Sequence, residues 1–326
     1  MHHKNKQNES NILNEWENYQ KYSRMKFLRF LVNFLFLLIT SCCLIKAQED
    51  GLSKIIRQGL QVEKLADGFQ FTEGPAADAR GNVYFTDQPN DRIMVWDIKT
   101  GLSVFMQPSG RSNGLFFDRE GNLWSCADNR NEIWKIAPDK KVDVITGFYN
   151  DRLYNGPNDL WISPGGGIYF TDPYYQRSWW DHKSMPQDKQ CVYFLMPDHK
   201  TVIRVADDLQ QPNGIVGTPD GKVLYVADLR GNKTWSFSIN SDGTLSNKTL
   251  FCESGSDGMT IDNKGNIYLT GKGVTVFDKT GKKVGNIPVP ENWTANVCFG
   301  GKTRKSLFIT ASKGLYRIQT LTKGVY

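Results

Sequence analysis

Histidine is scarce, with four in 326 residues, and two of them, His2 and His3, lie at the extreme N-terminus. His182 and His199 remain and fit no triad pattern; no GxSxG elbow occurs either, so a nucleophilic serine hydrolase is not the expectation. Cysteine is equally thin. After Cys42 and Cys43, only Cys126, Cys191, Cys252 and Cys298 follow, with no CxxC pair. They read as buried thiols, with one or two disulfides left open. No long amphipathic helix is legible beyond residue 50. Nor is charge of one sign in excess: the net charge is +6, and without residues 1–48, 33 basic side chains face 31 acidic ones. That near-neutral body gives no footing for nucleic acid.

An apolar run of the ~20 residues that a membrane span needs is also lacking. Residues 30–39 form a shorter one, preceded by Lys26 and Arg29 and followed by Cys42 and Cys43. This is the layout of a secretory leader beginning at Met25. Residues 38–42 read as a lipobox with Cys42 lipidated, and Ala47-Gln48 as an ordinary cleavage site. Either predicts export to the periplasm or outside, with membrane contact only through the leader or its lipid. Residues 1–48 are therefore set aside, and 49–326 are expected to form one domain.

What is present is a repeat. Residues 154–175, YNGPNDLWISPGGGIYFTDPYY, place a polar residue before an apolar strand, a glycine turn and a second alternating strand. Eight residues before each turn glycine (Gly81, Gly121, Gly166, Gly221, Gly265) stands Glu73, Asn113, Asn158, Asn213 or Asp257. Asn296 opens a sixth, looser unit. The turn glycines lie 40, 45, 55 and 44 residues apart, the spacing of four-stranded propeller blades. The expectation is an all-β, six-bladed β-propeller of antiparallel blades. The last unit is one strand short, so residues 55–65 are predicted to supply the missing strand and close the ring.

In a propeller, equivalent inner-strand positions converge on the central channel. Glu73, Asn113, Asn158, Asn213, Asp257 and Asn296 would then form one collar of two acids and four amides. A carboxylate pair there calls for a cation. An all-oxygen donor set suits Ca²⁺ first, then Mg²⁺ or Mn²⁺, and not a thiolate or imidazole zinc site. Blade three also carries an insertion, PYYQRSWWDHKSMPQDKQ, with Tyr174, Tyr175, Trp179, Trp180 and His182. It reads either as a wall over the channel mouth or as a loop packed on its own blade.

The motifs FTEGP (71–75), NGPNDL (155–160), FTDP (170–173), PNG (212–214), DGM (257–259) and NVCFGG (296–301) occur in an order and register that resembles the senescence marker protein, gluconolactonase and luciferin-regenerating enzyme family. The likeness covers roughly residues 55–320. It implies a six-bladed propeller with a divalent cation, usually Ca²⁺ (Mg²⁺, Mn²⁺ or Zn²⁺ being alternatives), and hydrolysis of a small-molecule sugar lactone. Glu73, Asn158, Asn213 and Asp257 match the metal-binding positions. Asp257 or Glu73 would be the catalytic base; Asn113, Asn158, Asp172 and Tyr174 would contact substrate. Asp172 has a second reading as a strand-end turn residue, like Asp87. One departure stands out: Gly156 occupies a place where the sugar-acid-binding branch has arginine. Two other functions stay open, a phosphotriester or aryl ester hydrolase on this fold and a non-catalytic carbohydrate- or protein-binding propeller.

Overall fold

In the computed structural model, the described residues are 51–326 together with eight helical positions between 16 and 33. The chain divides into two compact units, residues 1–50 and 51–326. The apolar stretch 31–39, apart from Asn33, and Cys42, Cys43 and Ala47 lie outside the described residues. Among the described residues no helix is long and apolar enough to cross a membrane.

The second unit is built from six four-stranded antiparallel sheets. Blades 1 to 5 each use four consecutive strands, innermost first. Blade 1 runs Thr72–Ala77, Val83–Asp87, Arg92–Asp97, Gly101–Met106, and blade 2 opens with Ser112–Phe117. Blades 3, 4 and 5 open with Leu160–Ile162, Pro212–Gly217 and Met259–Ile261. Each inner strand turns back through a glycine in the left-handed region: φ is 92° at Gly81, 85° at Gly121, 84° at Gly166, 69° at Gly221 and 81° at Gly265. A side chain there would be strained, which is why the repeat is marked by glycine. Side chains such as Phe85, Leu123, Ile168, Leu224 and Ile267 alternate inward and are buried between blades.

Blade 6 closes the ring. Its inner strands Thr294–Gly300, Ser306–Ala311 and Gly314–Gln319 are completed by Glu63–Ala66, which pairs antiparallel to Gly314–Gln319 with Glu63 opposite Arg317. The closing strand is thus only the end of the predicted 55–65 stretch. Ile55 and Ile56 are not in a strand; they are buried among Val276, Ile287 and Leu307. Cys126, Cys191, Cys252 and Cys298 are free thiols, the first three buried.

Candidate functional site: an acidic collar

Bulges aim the collar. Register shifts interrupt the inner strands between Glu73 and Ala76, Ser112 and Leu115, Pro212 and Ile215, and Thr294 and Asn296. A bulge bends its strand and re-aims a side chain. The residue after four of the collar positions is glycine because the next blade passes there. A Cβ at Gly74 would lie 1.9 Å from the Asn113 carbonyl oxygen, one at Gly114 2.6 Å from that of Asn158, one at Gly214 2.8 Å from that of Asp257, and one at Gly258 2.0 Å from the Asn296 side chain. Each glycine therefore lets one collar residue's strand abut the next.

All six counted residues are buried, Glu73 to 4 % and Asp257 to 9 % exposure. Asn213 Nδ2 donates to Asp257 Oδ1 at 2.9 Å, joining blades 4 and 5, and Trp293 Nε1 donates to Asp257 Oδ2 at 2.6 Å. Asn296 Nδ2 donates across the channel to Asp159 Oδ2 at 3.3 Å. Glu73 accepts from its neighbour Gly74 N at 3.1 Å. Its carboxyl is held well above the usual range by burial first and then by the charge of Asp257. Burial pushes Asp257 up to about 6, against the two donors that favour its anion. Asp159 is pushed up to about 7, again by burial. Three buried acids therefore act on one another through their charges, and none of them forms an ion pair among the described residues.

These residues fit a hard divalent cation. The Oδ1 atoms of Asn113 and Asn213 are buried acceptors without a hydrogen-bond partner, an arrangement that a cation satisfies and that is otherwise costly. No three acidic, histidine or cysteine side chains among the described residues form a metal cluster by themselves. A cation held there would draw on amide oxygens beside Glu73 and Asp257, and that donor set is entirely oxygen.

Asp172 stands apart. It is fully buried and its two oxygens accept from the backbone amides of Asn155 (2.9 Å) and Gly156 (2.8 Å). Asp87 and Asp228 brace the chain in the same way, accepting from residues 70–71 and 210–211. Of the two readings of Asp172, this geometry fits the strand-end one, its carboxylate holding the inner strand. Tyr174 is engaged within the insertion. Its hydroxyl donates to Gln176, and its ring faces Trp180. The neighbouring Tyr175 contacts the collar, its hydroxyl accepting from Asn213 Nδ2 at 2.9 Å.

Sequence reasoning missed Asp159, Trp293, Tyr175 and Arg177 as site residues. For Asp159 a signal existed: it occupies the slot that glycine holds after four other collar residues. The insertion also explains Gly156. A Cβ there would lie 2.7 Å from the Trp180 ring at a φ of 148°, so Trp180 fills the space where a side chain at 156 would begin. A cavity of about 740 Å³ in the channel is lined by Asp159, Asn296, Phe116, Val216 and the turn residues 118–120 and 163–166. It lies on the turn-glycine side. Glu73, Asn113, Asn158, Asn213 and Asp257 are not in its lining, and Asn213 instead touches Tyr175 of the insertion.

A family model described as SMP-30/Gluconolactonase/LRE-like region matches residues 71–313. A gluconolactonase from Zymomonas mobilis is 30% identical over 304 residues, covering 84% of this chain and 85% of that protein. Among solved structures, a gluconolactonase from Xanthomonas campestris superposes with a TM-score of 0.77 at 28% identity, covering 82% of this chain and 92% of that one. A calcium-binding protein from Agrobacterium tumefaciens, regucalcin, shares the fold with a TM-score of 0.70 at 18% identity, covering 82% and 96%.

Proposed function

Since the chain belongs to the SMP-30/gluconolactonase/LRE-like family, we propose that it is a lactonase, a carboxylic ester hydrolase that opens a sugar lactone with a divalent cation, Ca²⁺ foremost, held by Glu73, Asn158, Asn213 and Asp257. The observation that carries this reading is that buried carboxylates with no ion-pair partner of their own stand beside orphaned amide oxygens. When bound, the cation would polarise the ester carbonyl and offset the charge that develops on its oxygen, a contribution of several kcal/mol.

The remaining chemistry falls to side chains. Asp257 is the base: burial raises its proton affinity toward neutrality, while Trp293 and Asn213 fix both its oxygens. It takes a proton from water as the hydroxyl adds to the carbonyl carbon. The ring C–O bond then breaks, the leaving alkoxide recovers the proton, and a hydroxy acid results. Asn113, with its free Oδ1, is placed to orient the water or a substrate hydroxyl. Tyr175 and Trp293 contact Asn213 and Asp257 and would shield them from water. Residues 25–47 are proposed to export the body, free or anchored through Cys42.

The test is metal content measured alongside opening of aldonolactones in wild type and Asp257→Ala. Loss of general-base help should lower kcat about 10²- to 10⁴-fold. A metal-loaded wild type that opens no lactone sinks the reading, and turnover of phosphotriesters or aryl esters instead would move the reaction while keeping the site.

A further inference from the structure

The insertion brings to the collar a cation that the reaction above does not use. Arg177 Nε donates to Asp128 Oδ2 at 3.0 Å; the Asp128 side chain is 2% exposed and that of Arg177 22%. Asp128 is itself gripped from below by Gln88 Nε2 at 3.0 Å. The guanidinium lies 5.6 Å from the ring centroids of both Tyr175 and Trp179, and Arg111 covers Trp179 at 4.4 Å. Tyr175 in turn touches Asn213 of the collar. Arg177 is thus fixed one aromatic side chain away from the metal donors. Its charge acts on Glu73 and Asp257, yet among the described residues its ion pair is with Asp128, and its Nη groups make no hydrogen bond.

An arginine serving only to offset the collar acids would close on them. This one is tied back through Nε and stacked, which leaves the Nη edge for a third group. A planar fork with its orientation already fixed suits a carboxylate, which it can grip through two parallel bonds. We propose that Arg177 is a specificity-determining residue whose Nη edge binds a carboxylate on the substrate, remote from the ester that is opened. The preferred substrate class is then a lactone of a sugar dicarboxylic acid. This rests on the lactonase reading.

The experiment compares glucono-1,4-lactone with glucaro-1,4-lactone, which differ at one carbon as CH₂OH against carboxylate, in wild type, Arg177→Gln and Arg177→Lys. Wild type should favour the carboxylate-bearing lactone. Arg177→Gln should lower kcat/KM for it by about 10- to 100-fold, mostly through KM, as expected for a lost charge-assisted hydrogen bond. The neutral lactone should change less than about threefold, and Arg177→Lys should retain part of the preference. Equal losses on both lactones, or no preference in wild type, overturn the inference. Calorimetric binding of free glucarate separates it from the catalytic reading. Binding lost in Arg177→Gln supports the anion site even if neither lactone is turned over, and no binding by wild type refutes it.

Discussion

Asp257 owes its ionisation to two donors that work against its depth, and Trp293 is the donor most easily removed. Trp293→Phe keeps a ring at the mouth and takes away the Nε1–H bond to Oδ2. That bond favours the carboxylate, so its loss raises the pKa of the proposed base. The acid limb of the kcat/KM profile should move to higher pH with little change on the plateau. A limb that stays in place would point to Glu73 as the base. At this scale the sequence was informative wherever residues repeat: the eight-residue offset located Glu73, Asn113, Asn158, Asn213 and Asp257, and the loose sixth unit located Asn296. It was silent about Trp293 and Arg177, because each belongs to a connection without a period and reaches the collar only through the fold. Tyr174 and Tyr175 are adjacent and identical, and only backbone direction decides which of them points inward.

Among the strands, the closing one carries consequences out of proportion to its four residues. Its visible ion pair, Arg317 Nη2 to Glu63 Oε2 at 2.6 Å, is exposed. Such pairs contribute ~0–1 kcal/mol. Glu63→Ala should therefore barely move the urea midpoint. Removing residues 51–66 is different, since it bares the edge of Gly314–Gln319 and deletes Ile55 and Ile56 from the core. Burial of each isoleucine is worth about 1.5–3 kcal/mol, so the truncated body should lose at least ~3 kcal/mol and aggregate through its open edge. A truncated body as stable as the whole in urea would mean that closure is not what holds the ring. Apolar content made 55–65 readable as strand-like, but periodicity cannot separate a buried turn from a buried strand. The difference lies in which side of blade 5 or blade 6 offers a hydrogen-bonding edge, and that is a tertiary fact.

Over the whole molecule, buried acids set how stability answers to pH. Glu73, Asp159 and Asp257 of the collar have folded-state pKa values raised above the unfolded ones, the last two to about 7 and about 6, and Asp128 and Asp172 outside it are raised to about 6 and about 7. A raised acid binds its proton more tightly when folded. The stabilisation is complete below the unfolded pKa, near 4, and is lost as pH climbs through the folded values. Protein treated with chelator should therefore gain thermal stability between about pH 8 and about pH 5. Divalent cation requires the deprotonated acids and should reverse that slope, adding about 2.7 kcal/mol at a hundred times its Kd. A melting temperature indifferent to both pH and cation would show that these acids are not held as described. Five of the six blades, by contrast, were legible from turn glycines alone, because a φ of 69–92° recurs at a fixed place in each of those units.

Glu63 and Arg317 are neighbours in space but 254 positions apart in the chain, and Thr72 Oγ1 donates to the Gly314 carbonyl across 242. Such distant partners make for slow assembly. The circle cannot be locked until nearly all of the polypeptide has been made. A chain delivered across a membrane amino end first would consequently stay threadable throughout its passage. It would gain its catalytic channel only on the far side, once its last blade arrived to meet its first strand.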